Sequence, residues 1–315
     1  MATLSGQVAV VAGATRGAGR GIARALGEAG ATVYCSGRSS RGRAREHAHH
    51  YADRPETIEE TAELVTAAGG EGIAVVVDHK DHAQVKKLFA RIRRERKRLD
   101  ILVNVLTHTP VEEWKPFWQL DMDEGRSQVD GWIWPHVMTA RCALPLMVAN
   151  RGGLVVEIIE QESIGYHGQM WFDLFETTLK RLAYAVAVEG ADHGITAVAL
   201  TPGFMRTEAI KDDLGASDDN WKEVALTHPR AKAFGFISSE TPVYAGRAIV
   251  ALAADPERQR FSGGVLSSGT LSECYDFTDV DGARPNMPRY LAEHHPELFL
   301  AKPGVRHWTV QPSPS

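Results

Sequence analysis

Gly13, Gly17 and Gly19 stand directly after the apolar run Val8 to Val11, in the segment Ala12-Gly13-Ala14-Thr15-Arg16-Gly17-Ala18-Gly19-Arg20-Gly21. At this spacing they permit a tight turn and let the N–H groups that open a helix approach a phosphate with no Cβ in the way. A second apolar run, Thr32 to Cys35, begins roughly 20 residues on, so the pattern predicts a cradle for the pyrophosphate of a dinucleotide. Gly13, Thr15, Arg16, Gly17, Ala18 and Gly19 are the candidate cradle residues. The second run ends Val33-Tyr34-Cys35-Ser36-Gly37-Arg38, with no carboxylate to receive a ribose 2′-hydroxyl. Arg38 and Arg16 carry the planar fork that suits a 2′-phosphate, so the expected cofactor is NADP(H).

A second reactive set lies in Glu157-Ile-Ile-Glu160-Gln161-Glu162-Ser163-Ile-Gly-Tyr166-His167-Gly168. Glu160 is a general acid if desolvation raises its pKa, and Tyr166 or His167 is placed to donate a proton from the loop. The same residues also read as an ordinary solvated rim. Trp114, Trp118, Trp132, Trp134 and Trp171 gather near this region; they favour a flat or aromatic small-molecule substrate, or serve core and subunit packing. His47, His49 and His50 lack a cysteine or carboxylate at ligand spacing, so no metal is expected. Cys35, Cys142 and Cys274 are odd in number and far apart, which fits a reducing compartment without a disulfide framework.

The elements that must hold these residues alternate. Val8 to Val11, Thr32 to Cys35, Ile73 to Val77, Ile101 to Val103, Leu154 to Ile159 and Ile195 to Leu200 read as buried strands, with helical stretches between them. Parallel strands joined by right-handed crossovers follow, hence an α/β fold: a Rossmann-like doubly wound parallel sheet whose ligand sits at the carboxyl ends of the strands. No linker divides the 315 residues, and a single domain is expected over 1-273, with a flap at about 204-241 and a C-terminal extension over 274-315. A formal net charge of -5 argues against sequence-independent nucleic-acid binding, and the basic run Arg91 to Arg98 reads as a solvated helix end. Met1-Ala-Thr-Leu-Ser opens with no signal pattern, and no apolar segment is long enough to span a membrane, so the cytoplasm is expected.

On these residues the chain resembles the short-chain dehydrogenase/reductase family from about Gly6 to Gly282. Asp78 matches the family residue that contacts adenine. Asp100-Ile-Leu-Val-Asn104 matches the start of its DxLVNNAG element, although Val105-Leu106-Thr107 replaces the usual NAG. Pro202-Gly203-Phe204-Met205-Arg206-Thr207 matches the PGxxxT that closes over the nicotinamide end. The resemblance adds Asp78, Asn104, Pro202, Gly203 and Thr207 to the cofactor site, and implies a homodimer or homotetramer. Ala251-Leu-Ala-Ala-Asp255-Pro256, Phe261-Ser-Gly-Gly-Val265 and Asp279-Val-Asp-Gly282 resemble the subgroup containing dehydrogenase/reductase member 1 rather than the acyl-carrier-protein reductases.

The family's chemistry implies a Tyr that donates a proton, a Lys four residues on that lowers its pKa, a Ser that orients the carbonyl and an Asn that links water. Here the Tyr position falls on Phe172, the Lys position on Glu176, the Ser position on or next to Ile159, and the Asn position near Asp130 to Trp132. No shifted register restores the pair, because none of Tyr34, Tyr51, Tyr166, Tyr184, Tyr244, Tyr275 and Tyr290 has a Lys four residues later. Phe172 has no proton to give, and Glu176 brings negative charge where the family uses positive charge. Glu176 is expected either to accept hydrogen bonds from ribose hydroxyls or to pair with Lys180 on its own helix. Three readings follow: an NADP(H)-dependent oxidoreductase acting on an imine or an atypical carbonyl; a non-catalytic NADP(H)-binding protein; and a non-redox isomerase, cyclase or lyase using Glu160 or Glu176.

Overall fold

The computed structural model describes residues 4–42, 54–107, 114–160, 166, 168–233 and 235–296. β1 (Val8–Ala12) is apolar along its whole length and buried along its whole length, as a strand covered on both faces must be. It leads into α1 (Gly17–Glu28), then β2 (Thr32–Gly37), α2 (Ile58–Ala67), β3 (Glu71–Val76) and α3 (His82–Arg96). The second half runs β4 (Ile101–Asn104), α4 (Met122–Gln128), α5 (Trp134–Asn150), β5 (Gly153–Ile158), α6 (Met170–Gly190) and β6 (Ile195–Thr201). After α7 (Glu208–Leu214), α8 (Trp221–Thr227), α9 (Pro229–Ala233) and α10 (Pro242–Ala254) come β7 (Val265–Ser267), α11 (Ser268–Tyr275) and α12 (Met287–His294).

All strand pairs are parallel and the order is β3-β2-β1-β4-β5-β6-β7. The strand order reverses between β1 and β4, where Ala12 pairs with Ser36 on one side and Asn104 on the other. That switch point is where a doubly wound sheet opens a crevice for a ligand. Alternate strand residues serve opposite faces. Val11, Val33 and Val156 pack with Ile22, Leu26 and Ile249 on one side, while Val10, Tyr34 and Val155 pack with Phe89, Ile92 and Met147 on the other. Each such buried Val or Leu side chain is worth ~1.5–3 kcal/mol relative to exposure. No helix among the described residues is long and apolar enough to cross a membrane, and none of their His, Cys, Asp and Glu side chains form a group able to hold a metal ion.

Six strands agree with the sequence reading; the seventh, Val265–Ser267, is three residues long and too short to declare itself by periodicity. The basic run closes α3, with Arg93, Arg94 and Arg96 in its last turn, where cations complement the helix dipole. The expected flap is more structured than a polar loop. α7 to α9 enclose their own apolar cluster of Leu214, Trp221, Ala225, Ala231 and Phe236. Its base is fastened by Arg206, which stacks 3.8 Å over Trp221 and pairs with the buried Asp279 at 3.3 Å. The start of the expected extension falls inside α11, and Asp279 draws the following residues into the body of the protein.

Candidate active site

A cleft of about 260 Å³ opens at the carboxyl ends of β1, β2 and β4. Gly13, Thr15, Arg16, Gly17, Ala18, Arg38, Asp78 and Thr207 line it, and Gly19, Asn104, Pro202 and Gly203 do not. The glycines show why this turn fits a dinucleotide. Gly13 has φ +91°, and a Cβ there would sit 2.2 Å from the Val105 carbonyl. Gly19 lies beneath it, a Cβ coming within 2.2 Å of the Gly13 carbonyl. Gly13 N and Ala14 N donate to Ser36 O at 2.9 and 3.0 Å, which fixes the turn to β2. The α1 N-terminus has no side-chain cap of its own and no acidic residue in its first turn, so its dipole faces the cleft. Instead, Gly17 N donates to Glu208 Oε2 at 3.0 Å.

The cations at the far end divide into two kinds. Arg16 is already held, by Glu56 Oε2 at 3.3 Å and Ser39 Oγ at 3.3 Å. Burial pushes the Glu56 carboxyl up, but the hydrogen bond from Arg54 and the charges around it hold it below the usual carboxylate range. Arg38 lines the cleft with no carboxylate paired to it among the described residues. Lys80 stands nearby, its ammonium lowered by burial and then by the Arg38 charge. Asp78 is fixed by its turn: its Oδ1 accepts Lys80 N at 2.9 Å, and its own N–H donates to Gln84 Oε1 at 3.0 Å. Behind it the buried His79 is neutral, since burial lowers it to about 3. Its Nδ1 lies 2.9 Å from Thr139 Oγ1 and its Nε2 2.9 Å from Ser36 Oγ, so the ring joins the two hydroxyls.

Asn104 belongs to a different, buried layer. Its Nδ2 donates to Glu157 Oε1 at 2.8 Å, and Glu157 Oε2 lies 2.6 Å from His136 Nδ1. His136 Nε2 is 2.9 Å from Leu106 O, which only accepts, so that nitrogen carries hydrogen. One proton is therefore shared between Nδ1 and Oε2. This pair pins the Val105-Leu106-Thr107 segment that lines the cleft. The sequence signal was present: an acid inside the apolar strand Gly153–Ile158 needs a buried partner.

The positions expected to do chemistry meet where β5 ends against α6. Glu176 is fully buried, and its Oε2 accepts from Glu160 N at 3.1 Å. Burial lowers the Lys180 ammonium one turn on, and the Glu176 charge acts in the opposite sense. Glu160 is reached by solvent yet enclosed by protein, and this desolvation raises its carboxyl pKa. Phe172 lies one turn before Glu176, at the start of α6, where Gln169 caps the helix by accepting from Phe172 N at 2.9 Å. Ile159 is buried with Trp132 and Phe175, whose rings meet edge to face at 4.2 Å. Residues Val129–Ile133, which include the expected Asn position, form a π-helical turn, and Gly131 of that turn lines the cleft.

Tyr166 is exposed, and His167, Glu162 and His47, His49 and His50 lie outside the described residues. The tryptophans separate. Trp132 is core; Trp171 packs on Gly125 and meets Phe117 edge to face at 6.2 Å; Trp114, Trp118 and Trp134 are exposed. Glu56 and Glu208 escaped the sequence reading because only the fold brings them to Arg16 and Gly17 from 40 and 191 residues away.

The family model described as short chain dehydrogenase matches residues 7–216. The chain is similar to the human (Homo sapiens) protein named Dehydrogenase/reductase SDR family member 1, at 34% identity over 289 residues, covering 89% of this chain and 85% of the human one. The mouse (Mus musculus) protein of the same name is 32% identical over 291 residues, covering 90% and 86%. A crystal structure of a short chain dehydrogenase from Mycobacterium thermoresistibile superimposes with a TM-score of 0.71 at 18% identity, covering 88% of this chain and 90% of that one, a likeness of fold.

Proposed function

The chain belongs to the short chain dehydrogenase family, oxidoreductases that bind nicotinamide cofactors, and from that premise we propose that it is an NADP(H)-dependent oxidoreductase that reduces an imine or an atypical carbonyl. The observation that carries the reading is the pairing of an intact glycine cradle, and an Arg38 with no carboxylate partner among the described residues, with Phe172 and Glu176 at the family's Tyr and Lys positions. Gly17 and Ala18 would hold the pyrophosphate, Asp78 the adenine end and Arg38 with Lys80 the 2′-phosphate, while Arg16 contributes less because Glu56 already neutralises it.

The bound nicotinamide supplies or accepts a hydride. What this chain adds is an environment suited to a cationic acceptor. When hydride reaches the carbon of an iminium ion, a C–H bond forms and the C=N π pair returns to nitrogen, which loses its charge with no proton required. A ketone needs a proton on oxygen, and Phe172 cannot give one. Glu176, whose Oε2 accepts from Glu160 N, would bring carboxylate charge near that centre in place of the family's Lys, and Glu160 would add to it when ionised. A non-catalytic NADP(H)-binding role is the second reading, favoured by the burial of Ile159 at the Ser position.

Titration with NADPH and NADH, followed by nucleotide fluorescence, tests the cofactor assignment. The wild type is expected to prefer NADPH, and Arg38→Ala to lose about tenfold for NADPH with little change for NADH. Equal losses for both nucleotides would refute the role given to Arg38.

A further inference from the structure

α7 lies along the edge of the cleft, and one of its carboxylates, Glu208, holds a group that a dinucleotide's pyrophosphate would use, while a second, Asp212, reaches the cleft through a chain of ion pairs. Glu208 Oε2 accepts from Gly17 N at 3.0 Å, and its Oε1 lies 3.7 Å from Arg20 Nε. Three residues line the cleft in succession here, Thr207, Glu208 and Ala209, so this carboxylate sits inside the space a nucleotide would enter. Further along, Asp212 pairs with Arg54 at 2.9 Å, Arg54 with Glu56 at 2.7 Å, and Glu56 with Arg16 at 3.3 Å. The chain of alternating charge thus runs from α7 to the cation nearest the cradle.

We infer that Glu208 and Asp212 form an electrostatic latch on the cleft: Glu208, a resident anion that the incoming pyrophosphate must displace, sets the affinity for either nucleotide, and Asp212, which governs how freely Arg16 meets a 2′-phosphate, sets the selectivity between them. The inference rests on reading the cleft as a nucleotide site. Its physical basis is competition. An uncapped helix N-terminus attracts one anion at a time, and a carboxylate already seated there reduces the fraction of protein able to accept a phosphate. That fraction scales the association rate and leaves dissociation of the bound nucleotide unchanged. Asp212 acts through two intermediaries. Without it Arg54 turns fully to Glu56, and Arg16 gains freedom for the extra phosphate of NADPH, which NADH lacks.

Both nucleotides should be titrated against wild type, Glu208→Gln and Asp212→Asn, with association and dissociation rates from stopped-flow fluorescence. The Gln side chain keeps an acceptor for Gly17 N and loses only the charge. Glu208→Gln is expected to bind NADPH and NADH about fivefold more tightly, with the whole gain in the association rate. Asp212→Asn is expected to tighten NADPH about twofold and leave NADH unchanged. If wild type binds NADPH and Glu208→Gln binds no better, or gains only through slower dissociation, the latch is wrong and the nucleotide reading stands. If neither protein binds either nucleotide, the nucleotide reading fails and the latch with it.

Discussion

His79 shows what a single side chain contributes to both shape and solution behaviour. Its two ring nitrogens meet Ser36 Oγ and Thr139 Oγ1, and so tie the end of β2 to α5 beside the cleft. Its unfolded value is 6.5 and its folded value about 3, so the unfolded chain binds the proton first. The neutral ring's full contribution to stability is present above pH 6.5 and is lost as pH falls from there towards about 3. Replacing His79 with Gln removes this linkage. Urea unfolding followed from neutral pH downwards is expected to show a shallower loss of stability in the variant, and parallel curves for the two proteins would count against a neutral, buried imidazole. Residue-scale legibility was uneven for a physical reason. The cradle glycines lie close together in the chain and announce themselves by spacing, whereas Glu56 acquires meaning only when the turn between β1 and α1 meets the segment before α2.

At the scale of elements, β5 and α5 form a unit around Glu157 and His136. A Gln at position 157 still accepts from Asn104 and donates to a neutral His136, whose other nitrogen keeps its bond to Leu106 O. A Leu there leaves both partners buried without acceptor or donor. Glu157→Gln is therefore expected to lose under ~1 kcal/mol in chemical denaturation and Glu157→Leu about 3 kcal/mol. Equal, large losses would mean that the pair needs the carboxylate's full charge. The strands themselves were readable because a parallel sheet buried on both faces requires unbroken apolar runs. The π-helical turn at Val129–Ile133 was not, since it arises where α4 and α5 join over Phe175 and no spacing in the chain marks it.

The whole molecule joins a nucleotide-binding sheet to a small helical cap, and the joint is ionic. Arg206 is buried against Asp279, which also accepts from Thr241 N at 2.8 Å. Without Asp279 the buried guanidinium keeps only the more distant Asp281, at 3.6 Å, as a counter-charge, so Asp279→Ala is expected to cost ~3 kcal/mol in urea unfolding. A loss below ~1 kcal/mol, the scale of an exposed ion pair, would show that the cap is held mainly by its apolar cluster. The doubly wound architecture was legible from strand and helix alternation, but the packing of the cap was not. Its residues are polar by count, and the five residues of its apolar cluster are split between three helices too brief to show a period and the turn at Phe236.

In the proposed function the site has exchanged a proton-donating chemistry for one that accepts a cation. The most direct test follows NADPH consumption by the purified protein with an N-alkylated cyclic iminium salt and with the ketone of matching ring size. NADPH is expected to be consumed with the iminium and not with the ketone, and Glu160→Gln to lower kcat/KM for the iminium about tenfold. Ketone reduction at a comparable rate, or consumption with neither compound, would contradict it.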